Sequence, residues 1–382
     1  MDSTMYNYAI IGAGCAGIHI ALAMMEDSFF EDKQVLVLEK DAKSVNDRTW
    51  CFWEVGEGKW DKYLQHSWSR GKFHCSKQNK DLEMAPYQYK MLRSIDFYDI
   101  GKSRIKAAPN FNWVSDTVIT IHESEKNIIQ GEKQNYSVIH IFDSRIHPDF
   151  FNNNDKYIRL LQHFKGWVIE TEEDFFDQDQ FVFMDFRLKW NNSTSFNYVL
   201  PITKRKALVE FTLFTPSLIK DHDYDKMLKQ YLQEIVQLNN YKILEVEQGV
   251  IPMSNYPFHR HHEDYLTKIG TAGGWIRPST GYHFKNAEKY SQKIVENIKN
   301  KKHPATGVAN NKFRNYDTLF LDILNSNNEM GEELFSSMFE KNPTTKVFKF
   351  LDEETSFLQD LKIFSTFRSL PFLKAIYKQI RL

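Results

Sequence analysis

Three glycines spaced G-x-G-x-x-G, at Gly12, Gly14 and Gly17, follow the apolar run "YAII". That spacing suits a turn that holds a pyrophosphate. Gly12 permits the turn, Gly14 lets backbone N–H groups approach the phosphates, and Gly17 lets the following helix pack on the strand. Glu39 closes the next apolar run, "QVLVLEK". It stands about 20 residues beyond the glycines, where a dinucleotide site uses a carboxylate to hold a ribose hydroxyl. Arg48 is a candidate cofactor contact, or else one half of a surface salt bridge. Asp185 and Arg187, in "FMDFR", share one strand face and suit a charge pair at a pocket wall or a hydrogen bond to a cofactor ring; a structural ion pair is the competing reading. "FHRHH", at Phe258 to His262, invites a metal reading. Adjacent His261 and His262 are poorly placed to ligate one ion, and no acidic or cysteine partner is evident in the sequence, so we expect a polar loop and no metal.

The elements that carry these residues follow from apolar patterning. Tyr8 to Ile11 is expected as a buried strand, Ile18 to Glu26 as a helix, and "QVLVLEK" as a second strand, in βαβ order. The segments "FVFMDFRLKW" and "FNYVLPITKRKALVEFTLF" read as antiparallel strands of a second, sheet-rich domain. We therefore expect an α/β protein: a discontinuous Rossmann-like domain at 1–71, 113–158 and 265–304, a sheet domain inserted at 72–112 and 159–264, and a helical region at 305–382. The 382 residues, 42% hydrophobic, can fill such a core. The balance of 49 Lys and Arg against 50 Asp and Glu gives no reason to expect a nucleic-acid partner. Cys15, Cys51 and Cys75 share no metal-like spacing and form no disulfide framework, and the first apolar run resembles neither a secretory signal nor a membrane span. A cytoplasmic location is expected. The last 22 residues carry five Lys or Arg and no acid. They suit either peripheral contact with an anionic membrane or a helix packed on the body. Aromatic residues make up 15% of the chain, enough to enclose a large apolar ligand as well as fill a core.

The layout of glycine loop, distal Glu39, sheet-rich insertion and late glycine-rich segment resembles flavoproteins related to aromatic hydroxylases, which favours FAD over NAD. A sharper resemblance lies in six ordered motifs: "NDRTWCFWE", "FDSR", "QHFKGWVIET", "FMDFR", "YVLPITKRKALVEFT" and "GGWIRPSTGYHF". They are similar to those of the lycopene cyclases of the bacterial and plant flavoprotein type, with a looser likeness continuing toward the C-terminus.

The resemblance implies an enzyme that needs reduced FAD, takes NAD(P)H only as reductant, and cyclises the linear ends of lycopene or related acyclic carotenoids to β-ionone rings without net oxidation. It places the essential carboxylate at Glu210, where apolar neighbours would raise its pKa and let it donate a proton to an alkene. Many bacterial members have an acid directly after this glutamate, whereas this chain has Phe211, which weakens any two-carboxylate relay there. Trp50, Trp53, Trp167 and Trp275 are candidates to face a carbocation. In the late motif, Gly273 and Gly274 would let backbone approach the flavin, while Thr280 and Gly281 would stand at a helix start with N–H groups toward its pyrimidine edge. The same scaffold also serves flavin monooxygenases and prenyl-chain reductases, and a carotenoid carrier is a third reading.

Overall fold

The computed structural model describes residues 5–152, 156–309 and 311–367. The first apolar run forms the strand Met5–Ile11, and the helix Cys15–Met25 follows its glycine turn. Met5–Ile11 pairs in parallel with Val35–Leu38 on one side and Asn135–Asp143 on the other. Phe111–Val114 and Leu266–Lys268 extend the parallel part of the sheet, and two antiparallel strands complete it. The helices Ser94–Ala107 and Phe284–Lys299 pack against Cys15–Met25. Their shared core includes Ile18, Leu22, Phe97 and Ile294, all fully buried.

A second seven-stranded sheet is antiparallel apart from one parallel pair, Gln180–Asp185 with Arg70–His74. Its strand Arg159–Glu170 lies between Lys206–Thr215 and Lys242–Ser254. Period-2 alternation divides Lys206–Thr215 between two environments. Val209, Phe211 and Leu213 enter a core with Tyr224 and Leu228 of the helix Asp221–Gln230, while Leu208 and Glu210 face the other way. A three-stranded sheet, with Thr49–Val55 paired to Tyr87–Arg93, bridges the two units. The helices between Asn311 and Phe364 cover part of the second sheet through Phe335, Phe339 and Phe348.

The first excursion out of the parallel sheet spans residues 49–93, earlier than the expected 72–112. Ser94–Ala107 and Phe111–Val114 have already returned to the parallel unit by then. Residues 368–382, most of the basic C-terminal segment, lie outside the described residues. Among the described residues no helix is long and apolar enough to cross a membrane.

Candidate active site

The glycine loop lies at the C-terminal end of its strand, where an open parallel sheet places ligands. Gly12 has φ +92°, and a Cβ there would stand 2.1 Å from Ser144 Oγ. A Cβ on Gly17 would stand 2.0 Å from the Gly12 carbonyl oxygen, so only glycine lets the helix start so close to the strand. Gly14 instead faces open space, leaving its backbone accessible. Glu39 is buried below the loop, its carboxylate accepting the N–H groups of Ala13 at 2.7 Å and Asp41 at 2.9 Å. It therefore braces the loop and does not line the cavity.

Gly12, Gly14, Gly17, Arg48, Trp50, Thr280, Gly281 and Glu210 all wall one cavity of about 370 Å³, within the usual range of a small-molecule site. Gly281 and Thr280 line it from a turn before the helix Phe284–Lys299, and their N–H groups bond to the Arg277 carbonyl oxygen at 2.8 and 3.3 Å. These N–H groups are committed to the turn, unlike the helix-start donors the motif suggests. The ligand-facing polarity comes instead from side chains. Gln162 Oε1, Thr280 Oγ1 and His283 Nδ1 are buried, line the cavity and find no partner among the described residues. Burying such atoms is costly unless a ligand satisfies them. Burial holds His283 neutral, with its pKa lowered to about 4.

Across the second sheet the cavity wall is a row of register neighbours: Tyr198, Glu210, Gly166 and Glu247. Thr212 Oγ1 donates to Glu210 Oε1, and Thr49 Oγ1 to Glu247 Oε2, each at 2.6 Å. Burial, and then the Glu247 carboxyl, raise the Glu210 pKa to about 8. Glu247 is raised too, chiefly by burial, while the Thr49 hydroxyl opposes the shift. Tyr89, Tyr198, Tyr282, Trp50 and Phe164 supply aromatic surface around the acids. Such a wall offers a proton and faces able to stabilise a cation.

A family model described as lycopene cyclase protein matches residues 7–376. The chain belongs to the lycopene cyclase family. A curated relative, a chloroplastic lycopene beta cyclase from an Oncidium hybrid cultivar, is 25% identical over 309 residues, covering 73% of this chain and 61% of the relative. The chain thus spans about three-fifths of that relative's length. Among solved structures, a triple mutant of a flavin-dependent brominase aligns with a TM-score of 0.61 at 14% identity, covering 99% of this chain and all of that one. A geranylgeranyl bacteriochlorophyll reductase-like protein from Thermoplasma acidophilum aligns with a TM-score of 0.58 at 12% identity, covering 97% and 96%. At these identities the likeness shows the fold alone, the α/β architecture with a Rossmann-like domain expected from the sequence.

Several residues singled out from the sequence of this lycopene cyclase family member stand elsewhere. Gly273 and Gly274 lie outside the cavity: Gly274, with φ +69°, closes a tight turn, and Gly270 and Thr271 line the wall in their place. Trp53 stands behind Tyr282, at 4.7 Å between ring centroids, and donates to Asp352. Trp275 packs on Tyr290 in the first core, and Trp167 lies in the core behind the second sheet. Asp185 is fully buried, paired with Arg187 at 2.6 Å and accepting from Tyr231 at 2.8 Å. That is the structural ion pair, away from the cavity. His261 does have an acidic neighbour, contrary to the expectation from sequence: His147, Asp149 and His261 present ligand atoms within 4.8 Å of one another. One ring nitrogen of each histidine is engaged, His147 Nδ1 by the Asp149 N–H and His261 Nε2 by the Tyr256 hydroxyl. Reading the sequence missed Glu247, Tyr198 and Gln162, whose roles depend on strand register.

Proposed function

We propose that the chain is an FAD-dependent lycopene β-cyclase, converting the linear ends of lycopene to the β-ionone rings of γ-carotene and then β-carotene. The observation that carries this reading is that one cavity is walled both by the glycine loop and by a half-buried glutamate whose pKa is raised. Gly12, Gly14 and Gly17, with Arg48, Gln162, Thr280 and His283, are the residues that would hold FAD, and the open backbone at Gly14 and the three unpartnered polar atoms fit such a ligand. Bound FAD, kept reduced by NAD(P)H, supplies electron-rich support for a cation without being consumed.

Glu210 holds its proton at neutral pH and donates it to the terminal double bond. The next double bond closes the ring on the tertiary cation, and loss of a ring proton completes an isomerisation. The tyrosines and Trp50 shield the cation from water and face it with their rings. The long apolar substrate favours peripheral membrane association from the cytoplasm. Phe357, Leu358 and Leu361, exposed on the helix before the basic residues 368–382, support that contact.

The test is anaerobic incubation of the purified protein with lycopene, FAD and a reductant. Cyclic ends formed without oxygen are the expected result, and Glu210→Gln should abolish them while flavin absorbance is retained. A requirement for oxygen with hydroxylated product, or lycopene bound unchanged, would overturn the reading.

A further inference from the structure

Glu210 and Glu247 are both register neighbours of Gly166, one on each side. Neighbouring strands lie about 4.8 Å apart, so residues separated by a whole strand meet only when the position between them is small. A Cβ on Gly166 would stand 3.1 Å from Glu247 Cγ and 3.4 Å from its Oε1. The Glu247 side chain therefore leans over the glycine toward Glu210, and the two carboxyls lie near enough for the ionisation of each to depend on the other. Each acid is also fixed by a threonine hydroxyl, Glu247 by Thr49 and Glu210 by Thr212. Two carboxyls so placed can share a hydrogen bond only when one is protonated. Each threonine hydroxyl favours charge on the acid it faces, so the two offset one another; the larger rise is on Glu210, from burial and then from the Glu247 charge, and leaves the proton there.

We propose that Glu247 is the positioning partner of Glu210: the pair carries one proton, Glu247 accepts the hydrogen bond of protonated Glu210, and the doubly ionised pair recovers a proton after each donation. This rests on reading Glu210 as the donor. In the first step the Glu210 O–H bond breaks, and a C–H bond forms from the alkene π pair, leaving the pair dianionic. In the last step a C–H bond beside the ring cation breaks, its electrons form the ring double bond, and the proton returns to the pair. Nothing is oxidised or reduced. Like-charge repulsion between adjacent carboxylates favours that return. The other groups facing the pair are Glu245 and Arg93, themselves ion-paired at 2.9 Å, and Cys51 and Tyr198, both kept neutral by burial.

The experiment compares wild type, Glu247→Gln and Gly166→Ala in two measurements on the full chain. One is the infrared titration of the protonated-carboxyl band without substrate; the other is the pH dependence of anaerobic lycopene cyclisation. In wild type, a protonated carboxyl assigned by its loss in Glu210→Gln should persist above neutral pH. Both variants should shift its titration, and the alkaline limb of turnover, to lower pH by about one unit or more. Above pH 8 that is about a tenfold loss of the active form per unit. Gly166→Ala covers the case in which Glu247→Gln fails to fold. Wild-type titration and pH profile in a folded variant would overturn the proposal while leaving Glu210 as donor. Full cyclisation by Glu210→Gln would remove both the donor and its partner, and the substrate-free titration tells these failures apart.

Discussion

Replacing Arg277 with Met tests how the helical region is held to the cavity turn. Arg277 is 2% exposed. Its Nε donates to Asp317 Oδ1 at 3.1 Å, and its Nη1 donates to the carbonyl oxygens of Phe350 at 2.7 Å and Leu351 at 2.5 Å. Those carbonyls end the helix Thr344–Leu351, where a cation is favoured by the helix dipole. The guanidinium also lies 5.3 Å from the Phe313 ring and 5.2 Å from the Phe350 ring. Breaking a buried ion pair from one side costs about 3–5 kcal/mol, and an orphaned carbonyl about 1–3 kcal/mol. The two overlap, because Phe350 keeps the Glu353 N–H at 3.2 Å and Met refills most of the volume. A net loss of about 3–5 kcal/mol is expected. Burial raises the Asp317 pKa even with Arg277 present, and removing the cation raises it further. The folded variant then binds a proton that the unfolded chain releases, so its stability falls as pH rises and the deficit is larger at pH 8 than at pH 5. Urea unfolding followed by circular dichroism and tryptophan fluorescence measures the loss. A deficit below about 1 kcal/mol, or no recovery when Asp317→Leu is added to restore an uncharged core, would refute the reasoning.

Gly12→Ala should weaken FAD binding by about tenfold or more, because alanine is strained at φ +92° by about 1–3 kcal/mol and its methyl meets Ser144; flavin fluorescence titration reads this directly. Asp352→Asn should stabilise the protein at pH 8 and do little near pH 4. Burial raises Asp352 to about 7 although Trp53 donates to it, so wild type loses stability as pH climbs from the ordinary carboxylate range through about 7, and Asn keeps an acceptor for the indole; paired thermal melts at the two pH values check it.

What could be read from the sequence was local. The turn at Gly12 to Gly17 needs only its own spacing and the apolar runs beside it, and both flanking strands formed where the patterning put them. Glu210 was reached through its motif, and it lines the cavity that the glycine loop also walls. Gly273, Gly274, Trp53 and Trp275 were misplaced relative to the cavity because composition does not say which face of a turn or strand meets a ligand. Glu247 shows the limit most clearly. In "KILEVEQGV" acids and apolar residues alternate as they would on any solvated edge strand, and only the register of three strands brings Glu247 over Gly166. The same register answers the doubt raised by Phe211. With a period of two, the residue after Glu210 points into the core with Tyr224 and Leu228, so an acid at that position of this chain would face away from the cavity. A second carboxylate can reach Glu210 from across the glycine, and the substitution at 211 leaves that route intact.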